Sequence, residues 1–391
     1  MQAATLRGSR YLAFAPADAA RSAPLLSPIN QRRIRTFSAN RRAVWSLWLF
    51  VILFGLALAS DFIANDRPLL ASYKGELLVP ALVDYPETKF GGFLAQTIYR
   101  DPFIADEIST NGWMLWPPIR YGDATVDESL GTSAPAPPSW MLTDEVRCSR
   151  YPLGPDDPAC RDIGNLHWLG TDDQGRDVVG RLFYGFRVSV IFGLLLTIAS
   201  SVIGVIVGAV QGYFGGWTDL IGQRLLDVWG SMPTLYVLLI ISSVLVPGFW
   251  VLLFVLILMS WTSLVGIVRA EFLRARNLEY VAAARALGVS NTQIMLRHLL
   301  PNAMVATLTF MPFIAGGSVS TLTSLDFLGL GLPAGSPSLG ELLNQGKEYL
   351  FAPWLSLTSF AVIALILLLF VFIGEGVRDA FDPRRTFAGR A

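Results

Sequence analysis

The chain has 391 residues, of which 53% are hydrophobic and only 15% are charged, and its formal net charge is zero. With a mean hydropathy of +0.49, this composition excludes an ordinary soluble domain. Several apolar runs exceed the roughly 18 residues that indicate a transmembrane helix. The sequence therefore predicts an all-α polytopic membrane protein with six transmembrane helices.

The first 43 residues are polar and rich in arginine, and residues 44–62 are an apolar run that opens with two tryptophans. The positive-inside rule predicts that residues 1–43 are cytoplasmic and that residues 44–62 are the first span. Residues 1–26 are expected to be disordered. Ala57-Leu58-Ala59 resembles a cleavage site, so a signal peptide is the alternative. Since the apolar run is longer than the roughly 7–15 residues of such peptides, an uncleaved span is favoured.

Residues 63–168 form a polar insert without a long apolar run, in which acidic residues outnumber basic ones. If the first span runs outward, this insert is periplasmic. The only two cysteines, Cys148 and Cys160, both lie in it. In an oxidising compartment they are expected to form a disulfide, and two unpaired thiols are the alternative.

Residues 169–385 contain the five remaining spans, predicted near 188–211, 221–246, 249–268, 302–325 and 354–374. Thr171 or Asp172 is predicted to cap the helix that leads into the second span. Six spans place both termini, including the tail 386–391, on the cytoplasmic side. The loop at residues 270–301 falls on the same side.

Three glycines of the second span, Gly204, Gly208 and Gly212, recur every fourth residue. Small residues at this spacing let helices approach closely in lipid. Both packing within this chain and packing against a partner chain remain open.

The third span contains two charged residues, Arg224 and Asp227, and a proline, Pro233. The charged residues are three positions apart, so they are predicted to pair on one helical face as a structural feature. An acid within a span also raises the alternative of a proton relay. Pro233 is predicted to kink the helix.

Between the fourth and fifth spans, residues 279–301 form a polar, basic segment, here called the elbow. A helix is predicted to end at Gly288, because glycine readily adopts a positive φ. Ser290 followed by Gln293 is a capping box that starts a second helix. Pro301 marks where that helix stops or passes into the next.

Motifs for catalysis are missing from the sequence. The segment from Gly340 to Lys347 has the wrong spacing for a phosphate-binding loop and lacks its Ser or Thr. His298 has no second histidine or cysteine nearby, which favours a packing role over a metal site. The chain is therefore predicted not to be an enzyme, with no catalytic residue and no metal, and any ATP-driven work would need another polypeptide.

The elbow resembles the conserved cytoplasmic loop of permease subunits of ATP-binding-cassette (ABC) importers. That loop reads Glu-Ala-Ala, three residues, Gly, nine residues, Ile, one residue, Leu-Pro. The matching positions are Ala283, Ala284, Gly288, Leu300 and Pro301. Two positions depart from the pattern, since Ala282 stands in place of the Glu and His298 in place of the Ile.

Other segments resemble the oligopeptide and dipeptide permeases of the same family. These segments are Leu169-Gly170-Thr171-Asp172, Gly175-Arg176-Asp177, Tyr184-Gly185 with Arg187, and Phe327-Leu328-Gly329-Leu330-Gly331. The insert, Ser27-Pro28-Ile29-Asn30 and Trp45-Ser46-Leu47-Trp48 are most similar to the Yej-type peptide permease, which is associated with microcin C uptake.

The resemblance implies the type I importer permease fold in the inner membrane and ATP-driven import of peptides. It implies no cofactor on this chain, with ATP and Mg²⁺ bound by a partner ATPase subunit. The other implied partners are a second homologous permease subunit, a periplasmic peptide-binding protein and membrane lipid, without nucleic acid. The residues implied for ATPase coupling are Tyr280, Ala283, Ala284, Arg285, Gly288, Ser290, Leu300 and Pro301.

Two other classes of membrane protein compete with this interpretation. A proton-coupled secondary transporter would need acids along its pathway, and Asp227 alone is well placed for that. A receptor-like protein could bind a ligand with its insert, but it would have no need for the elbow.

Overall fold

The computed structural model describes residues 27–150, 154–246 and 248–382. Most of this part is helical, and five helices are long and apolar enough to cross a membrane. A sixth crossing results if two bent helices, Gly216–Gly230 and Thr234–Val244, are counted as one span. The predicted helical membrane architecture is confirmed.

The long helices of the described residues follow the apolar runs, because a chain in lipid has to satisfy its backbone hydrogen bonds internally, and shorter helices lie between them. In chain order they are α1 (Pro28–Ala39), α2 (Arg41–Leu58), α3 (Ser60–Ile63), α4 (Pro102–Asn111), α5 (Asp144–Arg147), α6 (Pro158–Arg161), α7 (Val178–Phe214), α8 (Gly216–Gly230), α9 (Thr234–Val244), α10 (Phe249–Ser260), α11 (Thr262–Ala275), α12 (Glu279–Ala286), α13 (Asn291–Gln293), α14 (Leu300–Phe327), α15 (Leu339–Glu348) and α16 (Pro353–Phe381). The strands are β1 (Leu70–Tyr73), β2 (Glu76–Leu78) and β3 (Gly112–Leu115).

The third predicted span, residues 221–246, is not one kinked helix. The chain breaks between α8 and α9, whose axes differ by 68°. Pro233 has extended backbone angles and precedes the first residue of α9. Since proline has no amide N–H to donate and its ring blocks the preceding turn, the expected kink becomes a complete break.

The predicted cap of the second span is wrong. Asp177 caps α7, and its Oδ2 accepts the Gly180 amide at 2.8 Å. Thr171 Oγ1 instead accepts the Ala136 amide at 2.8 Å, while Asp172 binds arginines. Thr171, Asp172 and Asp177 can all cap a helix, and all three precede α7. Contacts with distant segments hold Thr171 and Asp172 elsewhere and leave Asp177 as the cap.

The glycines of α7 pack within the chain, against α11. A Cβ atom on Gly204, Gly208 or Gly212 would lie 2.6–2.7 Å from a backbone carbonyl oxygen of α11 or of the residue just before it. The three oxygens belong to Trp261, Val265 and Arg269. The α7–α11 packing therefore has room only for glycine at these positions, and it stiffens the middle of the helical body.

At the N-terminal end, the first span differs from the prediction of 44–62, because α2 ends at Leu58 and a short helix follows it. The predicted cytoplasmic segment 1–43 contains α1, and the Arg33 guanidinium lies 4.4 Å from the centre of the Phe381 ring of α16. The disorder predicted for residues 1–26 and the tail 386–391 lie outside the described residues.

The insert carries a small antiparallel sheet of order β2-β1-β3, which the all-α prediction did not include. One face of the sheet packs on α4, where Ala71 and Tyr73 lie against Ile104 and Ile108. Cys148 and Cys160 are joined by a disulfide with a Cα–Cα distance of 5.7 Å. The insert is thus a folded lobe rather than an extended loop.

The insert and the elbow lie at opposite ends of α7. The insert leads into the start of α7 at Asp177, and the elbow packs beside Tyr213 near its end. We refer to the insert side and the elbow side of the helical body. The Trp354 Nε1–H donates to the Thr171 carbonyl at 3.1 Å, so α16 begins on the insert side and ends on the elbow side.

Candidate functional site

The elbow turns at Gly288, as predicted. Gly288 has a φ of +78°, and a Cβ there would meet no atom within 4 Å. Its amide donates to the Arg285 carbonyl at 3.0 Å, and the Val289 amide donates to the Ala284 carbonyl at 3.1 Å. This pair of bonds is a Schellman motif, which requires the left-handed backbone that glycine adopts readily.

The elbow has two arms, the helix α12 before Gly288 and the helical residues 291–299 after it, and the second arm is continuous with the fifth span. Ser290 Oγ accepts the Gln293 amide at 3.4 Å and starts α13. A π-helical turn, Ile294–Leu299, then leads into α14, so Pro301 lies in the first turn of α14 and does not end a helix. Proline is tolerated at this position because the first turn leaves its amides unpaired in any case.

The inner face of the elbow is anchored in a hydrophobic cluster. The side chains buried there come from both arms and from α7, α11 and α14. They are Ala209, Tyr213, Val268, Phe272, Ala275, Val281, Ala284, Ile294, Leu299 and Ala303. Burial of this many apolar side chains opposes local unfolding, so the elbow should move with the spans rather than independently of them.

Polar contacts around Tyr213 fix the two arms to the end of α7. The Tyr213 hydroxyl donates to Asn291 Oδ1 at 2.7 Å, and the Arg285 guanidinium lies 5.3 Å from the centre of the Tyr213 ring. From the other side, Arg276 Nη1 donates to the Tyr213 carbonyl at 3.3 Å. Tyr213 thus contacts both arms and the segment between α11 and α12.

The outer face of the elbow is exposed and carries apolar side chains among polar ones. Leu287 at the tip is 83% exposed, and Tyr280 and Leu296 are exposed beside it. Ala282 and Ala283 are also exposed, on the same short helix as the exposed Glu279 and Arg285. Of the two departures from the family pattern, Ala282 lies on this outer face, whereas His298 is only half-exposed and its carbonyl accepts Asn302 Nδ2 at 3.2 Å.

A charge cluster that sequence reasoning missed lies at the junction of the insert and α7. Asp172 is fully buried, with Arg176 Nε at 2.7 Å and Arg181 Nε at 3.3 Å from its Oδ2. The same arginines donate to the carbonyls of Gly335 at 3.2 Å and Ser336 at 2.8 Å, in the loop before α15. The cluster therefore joins three separate segments of the insert side.

A second cluster beside it holds a buried histidine between two acids. His167 Nδ1 lies 2.9 Å from Asp177 Oδ1, and its Nε2 lies 3.0 Å from Asp127 Oδ2. Burial alone would lower the pKa of His167, but the hydrogen bonds to Asp127 and Asp177 outweigh it and raise the pKa to about 9. Burial would likewise raise the pKa of Asp127, but the hydrogen bond from His167 holds it well below its usual range.

We expect this histidine to make stability depend on pH. Its folded-state pKa of about 9 exceeds the value of roughly 6.5 for an unfolded histidine. Its contribution is therefore complete below about pH 6.5 and is lost as the pH rises through about 9. Between these values the melting temperature of the wild type should fall by about 5 °C more than that of His167→Gln. Equal slopes in thermal melts of the two proteins would contradict the assignment.

Comparison with known proteins decides the family. Residues 200–387 match the family described as binding-protein-dependent transport system inner membrane component. Over 364 residues, 93% of this chain and 95% of the relative, the chain is 64% identical to the peptidoglycan transport system permease protein YejE of Agrobacterium fabrum. The chain belongs to the YejE group of ABC-transporter peptide permeases.

Other relatives place the YejE group within the peptide permeases. The inner membrane ABC transporter permease protein YejE of Escherichia coli K12 is 54% identical over 361 residues, 92% of this chain and 98% of the relative. The oligopeptide permease protein OppC of Bacillus subtilis is 34% identical over 233 residues, 59% of this chain and 75% of the relative. The predicted resemblance to Yej-type permeases is confirmed, and the chain is a multi-pass permease component of the inner membrane.

Proposed function

We propose that this chain is the membrane-spanning subunit of an ATP-driven importer of peptides or peptide-like compounds, and that its elbow docks on a separate ATPase subunit. ATP and Mg²⁺ are then bound by that partner. The Agrobacterium relative is named as a permease protein of peptidoglycan transport, which supports peptides derived from peptidoglycan as one substrate class. Microcin C, a peptide-like compound, is a second.

The observation that carries this proposal is the contrast between the two faces of the elbow. Its inner face is buried against three spans, whereas its outer face exposes Tyr280, Leu287 and Leu296. A short helix whose exposed surface carries apolar side chains suits recognition in a groove of a partner protein. Because the inner face is fixed, movement of the docked partner passes to the spans as a rigid-body displacement.

The basic segments support a cytoplasmic position for the elbow side. Arginines of α1 lie near the elbow-side end of α16, since Arg33 packs over Phe381. Positive charge near the ends of spans favours the cytoplasmic face. Both termini and the elbow would then face the ATPase. The insert would face the periplasm, where a peptide-binding protein delivers substrate, and a second permease subunit completes the pathway.

A charge at the elbow tip is expected to weaken the ATPase complex. Leu287→Arg should weaken the affinity of the tagged chain for the ATPase subunit roughly thirtyfold, or by about 2 kcal/mol, as for loss of a central apolar contact. Less ATPase subunit should then co-purify with the tagged chain. Leu350→Arg is the matched control, because Leu350 is also 83% exposed but lies before α16 on the insert side. Equal loss in both variants, or in neither, would contradict docking at the elbow.

Uptake by the reconstituted complex separates this proposal from proton-coupled transport. Peptide uptake into proteoliposomes that contain both permeases and the ATPase, with the peptide-binding protein added outside, should require ATP and stop on addition of vanadate. Uptake driven by a proton gradient without ATP would overturn the proposal.

A further inference from the structure

The helix α8 carries two charges on a face that the chain leaves uncovered. None of the fifteen described residues of α8 is buried. The half-exposed stripe of α8 faces the body, and the opposite stripe carries Arg224 and Asp227 with their side chains 76% and 63% exposed. Arg224 Nη1 donates to Asp227 Oδ2 at 3.1 Å. The predicted pair exists, but it does not pack against the rest of the chain.

Two contacts show how deep this pair lies in the membrane-spanning body. Near the start of α8, Asp219 forms an ion pair with Arg269 of α11, and near its end Trp229 Nε1 donates to the Leu258 carbonyl of α10 at 2.9 Å. Leu258 lies 17 residues before the end of the Phe249–Ala275 span, about 25 Å along a helix. Arg224 and Asp227 lie between these two levels, well inside the span.

Lipid is an unsuitable environment for this face. Charged side chains within spans are costly in hydrocarbon and generally face a protein interior or a water-filled cavity. The outward face of α7 is a comparison, because it exposes the apolar residues Ile198, Val202 and Ile206, as a surface in contact with lipid should. The charged stripe of α8 therefore faces water or protein rather than lipid.

We propose that Arg224 and Asp227 line the translocation pathway and bind the charged ends of the peptide, with Arg224 taking its carboxylate and Asp227 its ammonium group. This inference rests on the proposed function. A water-accessible ion pair exchanges partners at little cost, because exposed pairs are worth only about 0–1 kcal/mol. Exposed apolar side chains flank the pair, namely Leu220, Ile221, Leu225 and Val228. The surface thus combines ionic groups for the ends of a peptide with apolar area for its side chains.

Thiol labelling tests whether the pair faces water in the assembled complex. The sequence has only two cysteines, which are joined to each other, so Asp227→Cys would give the chain a single free thiol. In permeabilised vesicles that hold both permeases and the ATPase, a membrane-impermeant methanethiosulfonate should modify Asp227→Cys at least tenfold faster than Ile206→Cys. Ile206 is 58% exposed on the outward face of α7 and serves as the matched control. Equal, slow modification would show that lipid or the partner subunit covers the pair, and would overturn the proposal.

Uptake of tetra-alanine, its N-acetyl form and its C-terminal amide into sealed proteoliposomes, with the peptide-binding protein outside, tests recognition by the same complex. The wild type should take up the peptide with free ends at least fivefold faster than either blocked form. Asp227→Asn should take up the N-acetyl form as fast as the free peptide, while it still discriminates against the amide. Arg224→Gln should take up the amide as fast as the free peptide, while it still discriminates against the N-acetyl form. Asp144→Asn is the control, since Asp144 forms an ion pair of the same three-residue spacing with Arg147 in the insert.

Each result of the uptake experiment has one meaning. Loss of one preference in each variant supports the assignment. An equal decrease for all three peptides, unchanged preferences in the variants, or equal uptake of the three by the wild type would overturn it. If the wild-type complex took up none of them with ATP, the proposed function itself would fail, and the assignment with it.

Discussion

Replacing Gly288 by proline is expected to abolish ATP-dependent peptide uptake while the chain still inserts into the membrane. Gly288 has a φ of +78°, whereas the proline ring holds φ near −65°. Proline also lacks the amide that donates to the Arg285 carbonyl. Both defects remove the Schellman motif at a cost of about 3 kcal/mol or more. The two arms would then no longer hold their present angle.

Two further variants sharpen this test. Gly288→Asn should retain most uptake, because asparagine tolerates the left-handed conformation better than other side chains. Gly329→Pro introduces the same backbone defect on the insert side, where Gly329 has a φ of +71° and its amide donates to the Asp326 carbonyl. That variant should still co-purify with the ATPase subunit. Near-normal uptake by Gly288→Pro, at normal abundance in the membrane, would contradict the coupling role of the elbow.

Replacing Asp172 by alanine is expected to destabilise the insert side by about 3–5 kcal/mol, the usual cost of removing one partner of a buried ion pair. Asp172 and Arg181 are fully buried and Arg176 is nearly so. Without the carboxylate, two guanidinium groups would remain close together in a site that excludes water. Thermal unfolding of the purified chain in detergent measures the loss.

The neighbouring residue provides the control for Asp172. The Asp173 side chain is 23% exposed, and its Oδ1 lies 3.8 Å from Arg176 Nη2. Asp173→Ala removes the same charge from the same segment, but the expected cost is within about 1 kcal/mol, as for a partly exposed pair. If both variants melted at the same temperature, the cluster around Asp172 would not be the stabilising element described here.

The sequence was most informative where the signal was local. Apolar runs predicted the spans, and the order of Gly288 and Ser290 predicted the turn and the new helix, because capping depends on a few neighbouring residues. The Leu-Pro at the end of the elbow was ambiguous, since Pro301 suits the first turn of a helix as well as its end.

The sequence was uninformative where distant segments meet. Asp172 resembles a surface acid, and its burial follows from Arg181 and the loop before α15, which lies about 160 residues further along the chain. His167 is an isolated histidine in the sequence, and its two acids come from different segments, ten and forty residues away. The glycines of α7 had the right spacing for close packing, but spacing alone does not name the partner helix.

The contacts at the two ends of α7 make this helix a rigid connection between the insert and the elbow. At its insert-side end, Asp177 caps the helix with one carboxylate oxygen and holds His167 with the other. At its elbow-side end, Tyr213 holds Asn291. The 37 residues of α7 form one rod about 55 Å long, packed against α11 along its glycines. The insert and the elbow are thus rigidly linked, and neither can tilt relative to the body without moving the other or breaking one of these contacts.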